Sequence, residues 1–94
     1  MRKLLLIAAL CVAPIAAHAH PFDRYTFAID IDMSESGVIK AIGSPTYISV
    51  RTCGANIGEP WSCKLYAYIS NRQYLHIFFQ NVNGVWVVNS WTIG

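Results

Sequence analysis

The stretch YLHIFFQNVNGVWVVNSWTI, residues 74–93, decides the fold class of this chain. Its centre is Asn83-Gly84, two residues that tolerate the positive φ angles of a type I′ turn. The flanking segments are rich in aromatic and β-branched residues, which favour strands. We therefore predict a hairpin between the strands Tyr74–Gln80 and Val85–Ile93. Its register pairs Val82 with Val85, Phe79 with Val88, Phe78 with Asn89 and His76 with Trp91.

A second hairpin is predicted upstream, where Thr46–Thr52 and Lys64–Ser70 have the composition of strands. Ser70-Asn71-Arg72-Gln73 then turns the chain into the next strand. The hydrophobic pattern does not decide which of the two faces of this hairpin points inward. With Cys53 opposite Cys63, one face pairs Val50 with Tyr66 and Ile48 with Tyr68, and the other pairs Tyr47 with Ile69, Ser49 with Ala67 and Arg51 with Leu65.

A third hairpin is predicted at the start of the domain. In residues 24–33, apolar side chains alternate with polar or small ones, a period typical of a strand with one buried face. Ser34-Glu35-Ser36-Gly37 is typical of a tight turn, and a second strand is predicted over Val38–Ile42, before Gly43-Ser44-Pro45. The expected fold is all-β: a small antiparallel meander of about six strands in three hairpins, forming a barrel or a compact sandwich.

Residues 1–19 have the features of a helical export signal. Arg2 and Lys3 precede an uncharged apolar run, and Ala17-His18-Ala19 fits the small-x-small pattern that signal peptidase cuts. Cleavage after Ala19 would leave a single domain, residues 20–94. We expect this domain to be periplasmic or secreted, with no stable membrane insertion once the signal is removed.

The cysteines fit an oxidising compartment. Cys11 lies inside the signal and leaves with it, so Cys53 and Cys63 are the only pair in the predicted domain. We expect these two residues to form a disulfide. The link matters because a domain of this size has a small core. The alternative for Cys11 is a lipid anchor, although Leu10 is bulky where a small residue is required.

Charge and motif content exclude several classes of function. Residues 20–94 carry five basic and five acidic side chains, so the formal net charge falls from +2 to 0 without the signal. No basic stripe remains to neutralise phosphates, and we expect no nucleic-acid partner. The sequence contains no nucleophile elbow, zinc-protease helix, phosphate-binding loop or CxxC motif. We therefore predict neither enzymatic activity nor a cofactor.

The loop between Cys53 and Cys63 is the strongest candidate for a binding function. A disulfide at its base would restrict the loop, which then loses less entropy on docking. We predict that Ile57, Glu59 and Trp61 contact another protein, as in an inhibitor or immunity-type protein. The alternative is that the disulfide only fixes a hairpin, with Trp61 folded over the core.

Tyr66 and Tyr68 give a second candidate function. They lie two residues apart on a predicted strand and therefore share a face. If they are exposed, they form an aromatic platform, and the protein is a glycan-binding module of the cell envelope. The alternative is that both tyrosines fill the core.

Histidines give a third candidate function. After cleavage, His20 would offer an N-terminal amine and an imidazole nitrogen, a bidentate ligand for copper, and His76 would supply a third nitrogen. The start His20-Pro21 is similar to that of the periplasmic copper-carrier family, which is also small and all-β. This resemblance covers two residues and implies a copper-binding carrier. The alternative is a His76 that is satisfied by its neighbours within a strand.

Overall fold

The computed structural model describes residues 20–54 and 58–94, so the predicted signal, 1–19, and Ile57 lie outside the described residues. Two short helices precede four strands. Neither helix in this part of the chain is long and apolar enough to cross a bilayer. In chain order the elements are α1 (Asp23–Thr26), α2 (Glu35–Ile42), β1 (Tyr47–Cys53), β2 (Trp61–Ser70), β3 (Gln73–Val82) and β4 (Val85–Ile93).

The four strands form one open antiparallel sheet in the order β1-β2-β3-β4. The chain is therefore mostly β, and the predicted antiparallel meander is confirmed for the segment from Tyr47 to Ile93. The described residues contain four strands where six were expected. In this part of the chain β1 and β4 do not pair with each other and all strands belong to one sheet, so the sheet forms neither a barrel nor a sandwich of two sheets.

The predicted N-terminal hairpin is wrong. Residues 24–33 contain α1 and turns, and Val38–Ile42 belongs to α2. The alternation of apolar and polar residues does not correspond to one buried face. Ile29 is buried, whereas Phe27 and Ile31 are 88% and 53% exposed.

Helix α2 begins at a capping serine. The Oγ of Ser34 accepts a hydrogen bond from the N–H of Gly37 at 3.2 Å, which satisfies one free donor of the first turn. Glu35 lies in the first turn and Lys40 in the last turn, where each charge interacts favourably with the helix dipole. Val38 is fully buried. The segment predicted as a turn is therefore a helix start, and eight residues are too few to show an extended helical repeat in the sequence.

The predicted β3–β4 turn is confirmed. Asn83 and Gly84 both have positive φ, 53° and 88°, as a type I′ turn requires. The register next to the turn is also confirmed, with Val82 opposite Val85 and Phe79 opposite Val88.

Further along β4 the predicted register is wrong because of a β-bulge. The pairing shifts between Phe79 and Phe78, and Asn89 is the extra residue in β4. One extra residue on one strand moves every later pair by one position. Phe78 lies opposite Ser90, Ile77 opposite Trp91 and His76 opposite Thr92.

Cys53 and Cys63 form the predicted disulfide, with their Cα atoms 5.9 Å apart. They are diagonal neighbours, since Cys53 pairs with Trp61 and Cys63 pairs with Arg51. The register differs by two residues from the predicted one. A shift of two leaves each side chain on its predicted face. The observed pairs include Tyr47 with Ala67, Ile48 with Tyr66, Ser49 with Leu65 and Val50 with Lys64.

The core lies between the helical segment and one face of the sheet. The residues of this core come from the segment before β1 and from alternate positions of β2, β3 and β4. Its buried members are Phe22, Ile29, Val38, Tyr66, Tyr68, Leu75, Ile77, Phe79 and Val88.

The two outer edges of the sheet differ. Val88 in β4 accepts a hydrogen bond from the N–H of Asp32 and donates one to the C=O of Met33, both at 2.8 Å. Ser34 adds an isolated bridge to Val87. Within the described part of the chain, β1 has β2 as its only neighbour. The edge at β4 is therefore partly covered by residues 32–34, and the outer edge at β1 is open.

Candidate functional site

Trp61, a predicted loop contact, is the first residue of β2 and lies at the base of the loop. Its indole is partly buried beside Gly54, where an added Cβ would lie 2.9 Å from the indole Nε1. Glu59 is exposed. Ile57 lies outside the described residues. The loop therefore has a partly buried tryptophan at its base and an exposed carboxylate close by.

Tyr66 and Tyr68 share a face, as predicted, and both are buried, so they form no exposed platform and instead fill the core, the alternative that the sequence left open. The Tyr66 hydroxyl donates to Glu35 Oε1 at 2.8 Å. The Tyr68 hydroxyl donates to the C=O of Gly43 at 2.7 Å. Glu35 begins α2 and Gly43 directly follows it, so the two tyrosines attach both ends of this helix to the sheet.

Burial dominates the protonation behaviour of both tyrosines. It raises the pKa of Tyr66 well above its ordinary value, and the hydrogen bond to Glu35 and the charge of that carboxylate raise it further. Burial also raises the pKa of Tyr68 to about 12, with a smaller contribution from Tyr25. Lys64 Nζ lies 2.9 Å from Glu35 Oε1 and completes this cluster. These contacts serve the attachment of α2.

The side of the sheet opposite the helices carries no described helix, and we call it the open face. It consists of the alternate strand positions that do not belong to the helix-side core. In β1 and β2 these are Tyr47, Ser49, Arg51, Cys53, Trp61, Cys63, Leu65, Ala67 and Ile69; in β3 and β4 they are Tyr74, His76, Phe78, Gln80, Val82, Val85, Val87, Ser90 and Thr92.

The side chains at the centre of the open face are buried, and apolar side chains at its two ends are exposed. Cys63, Leu65 and Ala67 are fully buried. Five large apolar or aromatic side chains are between 37% and 53% exposed. Exposed apolar side chains that share one face of a sheet are candidates for an interaction site. The five residues are Tyr47, Ile69 and Tyr74 at one end and Val82 and Val85 at the other.

Arg51 is the one charged side chain among the open-face residues. Its Nη2 donates to Ser49 Oγ at 3.3 Å, so the guanidinium lies along β1. His76 has aromatic neighbours on both sides, with ring centroids 4.3 Å from Tyr74 and 6.3 Å from Phe78. Burial lowers the pKa of His76, and the positive charge of Arg51 lowers it further. His76 is therefore neutral at neutral pH.

Acidic side chains lie away from the open face. Asp23, Asp30, Asp32 and Glu35 all precede β1, and Glu59 is in the loop. Among the described residues, the open face thus combines aromatic and aliphatic side chains with one guanidinium and no carboxylate. The only formal charge among the described open-face residues is therefore the positive charge of Arg51.

A shallow groove of about 350 Å³ lies at the end of the sheet nearest the disulfide. Asn89, the bulge residue, contributes to it, and bulges commonly redirect a side chain next to a binding site. Within the described residues, the side chains of Gln80 and Asn89 make no hydrogen bond. The groove has no charged lining residue, and it is lined by Trp61, Ser62, Gln80, Asn81 and Asn89.

The predicted copper ligands are not part of a ligand cluster. In residues 20–54 and 58–94, no group of three or more His, Cys, Asp or Glu side chains is placed to hold a metal ion. His20 Nδ1 accepts a hydrogen bond from the N–H of Phe22 at 3.2 Å, and its Nε2 lies 3.0 Å from the C=O of Gly94. Both ring nitrogens of His20 therefore have protein partners, and His76 lies on the open face.

The pattern of residues does not single out the open face, because β2 carries large side chains on both of its faces. The available signal is the predicted grouping of Tyr47, Ser49 and Arg51 on one side of β1. The groove has no such signal, since it depends on the bulge at Asn89.

Fold and surfaces together define a small, mostly β, disulfide-linked domain whose sheet has one helix-covered face and one open face. No protein-family model, curated protein or solved structure matches the chain. The chemistry of the open face and of the groove is therefore the basis for a functional proposal.

Proposed function

We propose that this chain is an exported binding protein that contacts another protein through its open face, with the Cys53–Cys63 loop at one end of the contact. The observation that carries the proposal is a sheet face without a helix, on which exposed apolar side chains accompany one guanidinium. A disulfide in a domain of this size fits an oxidising, extracytoplasmic compartment.

The residue types on the open face favour binding. Tyrosine, tryptophan and arginine carry a disproportionate share of the energy of protein interfaces. Tyr47 and Tyr74 lie at one end of the face, and Trp61 lies at the other. Strands hold all three in place, so little conformational entropy is lost when a partner docks.

Arg51 gives the proposed contact its charge preference. The open face has no carboxylate to compete for its guanidinium, and the neutral imidazole of His76 adds hydrogen-bonding capacity. A partner surface with an acidic side chain among apolar groups matches this arrangement, because arginine binds carboxylates with two parallel hydrogen bonds.

Within this class we favour an inhibitor or immunity-type protein. Such proteins bind through rigid surfaces that change little on association. The disulfide restricts the loop that carries Glu59, and Trp61 fixes its base against Gly54. The loop would then enter a cleft of the partner while Arg51 and the tyrosines contact its rim.

A matched pair of charge reversals tests the proposal. Arg51→Glu reverses the charge on the open face, and Lys40→Glu makes the same change on exposed α2. Crosslinking in envelope and culture-medium fractions of the source organism should retain one protein with wild type and Lys40→Glu and lose it with Arg51→Glu. Trp61→Ala tests the loop end in the same assay. Equal retention by Arg51→Glu and Lys40→Glu would contradict the proposal.

Binding of a neutral glycan is a second candidate function, and the lining of the groove favours it. An indole beside uncharged amides and a hydroxyl is a suitable environment for a sugar ring, which presents apolar C–H faces and hydroxyls. Because Tyr66 and Tyr68 are buried, this groove replaces them as the candidate glycan site.

Calorimetric titration with neutral cell-wall oligosaccharides tests this candidate. Asn89→Ala should weaken binding at least tenfold, because it removes an amide from the groove. Gln73→Ala, at the opposite end of the sheet, should leave the affinity unchanged. If wild type gives no heat of binding, or if both variants bind like wild type, the groove is not a glycan site.

A further inference from the structure

We propose that the open edge of β1 pairs with β1 of a second copy of this chain, antiparallel and about a two-fold axis at Ser49, to form one continuous sheet. The proposal does not rest on the open-face function, because the backbone edge of β1 and the exposed side chains on its helix side carry it; Tyr47 and Arg51 of the open face only add to the complementarity of the register. A homodimer of this kind requires a free edge and a self-complementary strand.

Within residues 20–54 and 58–94, no strand pairs with the outer edge of β1. Alternate residues of an edge strand direct N–H and C=O groups away from the sheet. Natural edges are commonly blocked by proline, bulges or several charges. The strand Tyr47–Cys53 has no proline, pairs without a register shift and carries one charge, Arg51. The opposite edge differs, because Asp32 and Met33 occupy backbone groups of Val88.

Two apolar side chains lie exposed beside this edge. Ile48 is 50% exposed and Val50 is 66% exposed. Both lie on the helix side of the sheet, where Ile48 pairs with Tyr66 and Val50 with Lys64, but no residue of β1 belongs to the core. A second β1 alongside would place four such side chains in one row and remove them from water.

The sequence of β1 is self-complementary about Ser49. In an antiparallel pair centred there, β-branched residues face each other on the helix side, and aromatic and cationic residues face each other on the open face. No two like charges are opposed. The register places Ser49 opposite Ser49 of the second copy, Ile48 opposite Val50, Tyr47 opposite Arg51 and Thr46 opposite Thr52.

Neighbouring registers are less complementary. An axis at Ile48 places Tyr47 opposite Ser49 and Arg51 opposite Pro45, so the pairing of the aromatic ring with the guanidinium is lost. An axis at Val50 places Ile48 opposite Thr52, which pairs an apolar side chain with a hydroxyl. An axis at Arg51 places the two guanidinium groups directly opposite each other, which is destabilising. Ser49 is therefore the axis that the strand favours.

Sedimentation of the purified protein from micromolar to millimolar concentration tests the dimer. Wild type should form dimers, and Val50→Lys should remain monomeric because it places charge in the apolar row. Val85→Lys is the matched control, since Val85 is a similarly exposed valine on β4, and it should dimerise like wild type. A monomeric wild type would overturn the proposal, and pairing of the β1 edge with a strand of another protein would then be the alternative. Dimerisation of Val50→Lys at wild-type affinity would also overturn it.

Single cysteines test the register. Ser49→Cys places two cysteines opposite each other at the axis, where directly opposed Cα atoms are about 4.5–5.5 Å apart and can form a disulfide. Tyr47→Cys places them about 13 Å apart along the strands, beyond disulfide range. Mild oxidation should crosslink only Ser49→Cys, and equal crosslinking of both variants would reject the axis.

Val50→Lys leaves the open face intact, so it also separates this proposal from the open-face function. The variant should lose the dimer and still capture the partner protein.

Discussion

The hydroxyl of Tyr66 donates a hydrogen bond to the carboxylate of Glu35 at 2.8 Å, which joins the middle of β2 to the first turn of α2. Tyr68 makes the equivalent contact at the other end of the helix. An isolated helix of eight residues is unstable in water. The short helix α2 therefore depends on the sheet, and the tyrosines supply polar contacts that position it.

Removing either hydroxyl should destabilise the fold without leaving a cavity. We expect Tyr66→Phe to lower the free energy of unfolding by about 1–2 kcal/mol, because its hydrogen bond goes to a charged group, and Tyr68→Phe to lower it by about 1 kcal/mol. Tyr47→Phe is the control, since Tyr47 is exposed and its hydroxyl makes no hydrogen bond within the described residues. Urea denaturation measures all three; no difference from the control would contradict the attachment of α2 by the hydroxyls.

Alkaline pH should destabilise the protein through the same tyrosines. Their folded-state pKa values are raised, to about 12 for Tyr68, above the unfolded value of about 10. The folded state therefore binds protons more tightly, and the associated stability is present below pH 10 and lost as pH rises toward 12. Urea midpoints between about pH 9 and 11 should fall in wild type and fall less in the Tyr66→Phe/Tyr68→Phe double variant. Parallel pH curves would refute this assignment.

Arg51 should influence the titration of His76. The folded pKa of His76 lies below the unfolded value of about 6.5, so protonation favours unfolding and stability decreases as pH falls below that value. Arg51→Gln should raise the pKa only in part, since burial is the larger cause and remains. Titration of the imidazole by NMR measures the shift. Arg72→Gln, in the β2–β3 turn, should leave the pKa of His76 unchanged. If Arg51→Gln also leaves that pKa unchanged, the charge of Arg51 does not act on His76.

Gly54 should be sensitive to a single added methyl group. Its φ is 75°, and a Cβ there would lie 2.9 Å from Trp61 Nε1. We expect Gly54→Ala to cost about 1–2 kcal/mol in stability, since it combines a left-handed backbone with displacement of the indole. Gly58→Ala is the control, because nothing lies within 4 Å of its added Cβ. Equal stability and tryptophan fluorescence of the two variants would count against the contact.

Reduction of the disulfide should destabilise the domain. Closing the loop between Cys53 and Cys63, with a sequence separation of 10, contributes about 3 kcal/mol by the chain-entropy estimate. Denaturation with and without reductant measures the loss. The double variant Cys53→Ala/Cys63→Ala should match the reduced protein, and it should not respond to reductant.

The parts of the fold that follow from local chemistry are predictable from the sequence. Asn83-Gly84 specifies its turn because few other residue pairs tolerate two positive φ angles. The Cys53–Cys63 disulfide follows from the number of cysteines in residues 20–94 and from the predicted oxidising compartment. The bulge at Asn89 does not, because nothing in the residue types marks where an extra residue enters a strand.

The helical segment shows how a sequence pattern can mislead. The alternation at Phe27, Ile29 and Ile31 has the period of a strand, yet only Ile29 is buried. Ser34 is equally compatible with a turn and a helix cap, and the packing of Val38 on the sheet decides between them. The candidate site could not be predicted for the same reason. Tyr66 and Arg51 lie on opposite faces of the sheet, and the position of the helices determines which of these faces is exposed.

The two backbone hydrogen bonds that Val88 makes with Asp32 and Met33 have a consequence for how this protein can aggregate. A sheet with two free edges can recruit copies at both sides and grow into a fibril. Here residues 32–34 already engage part of one side, so pairing through β1 should end after a single step and produce a finite particle.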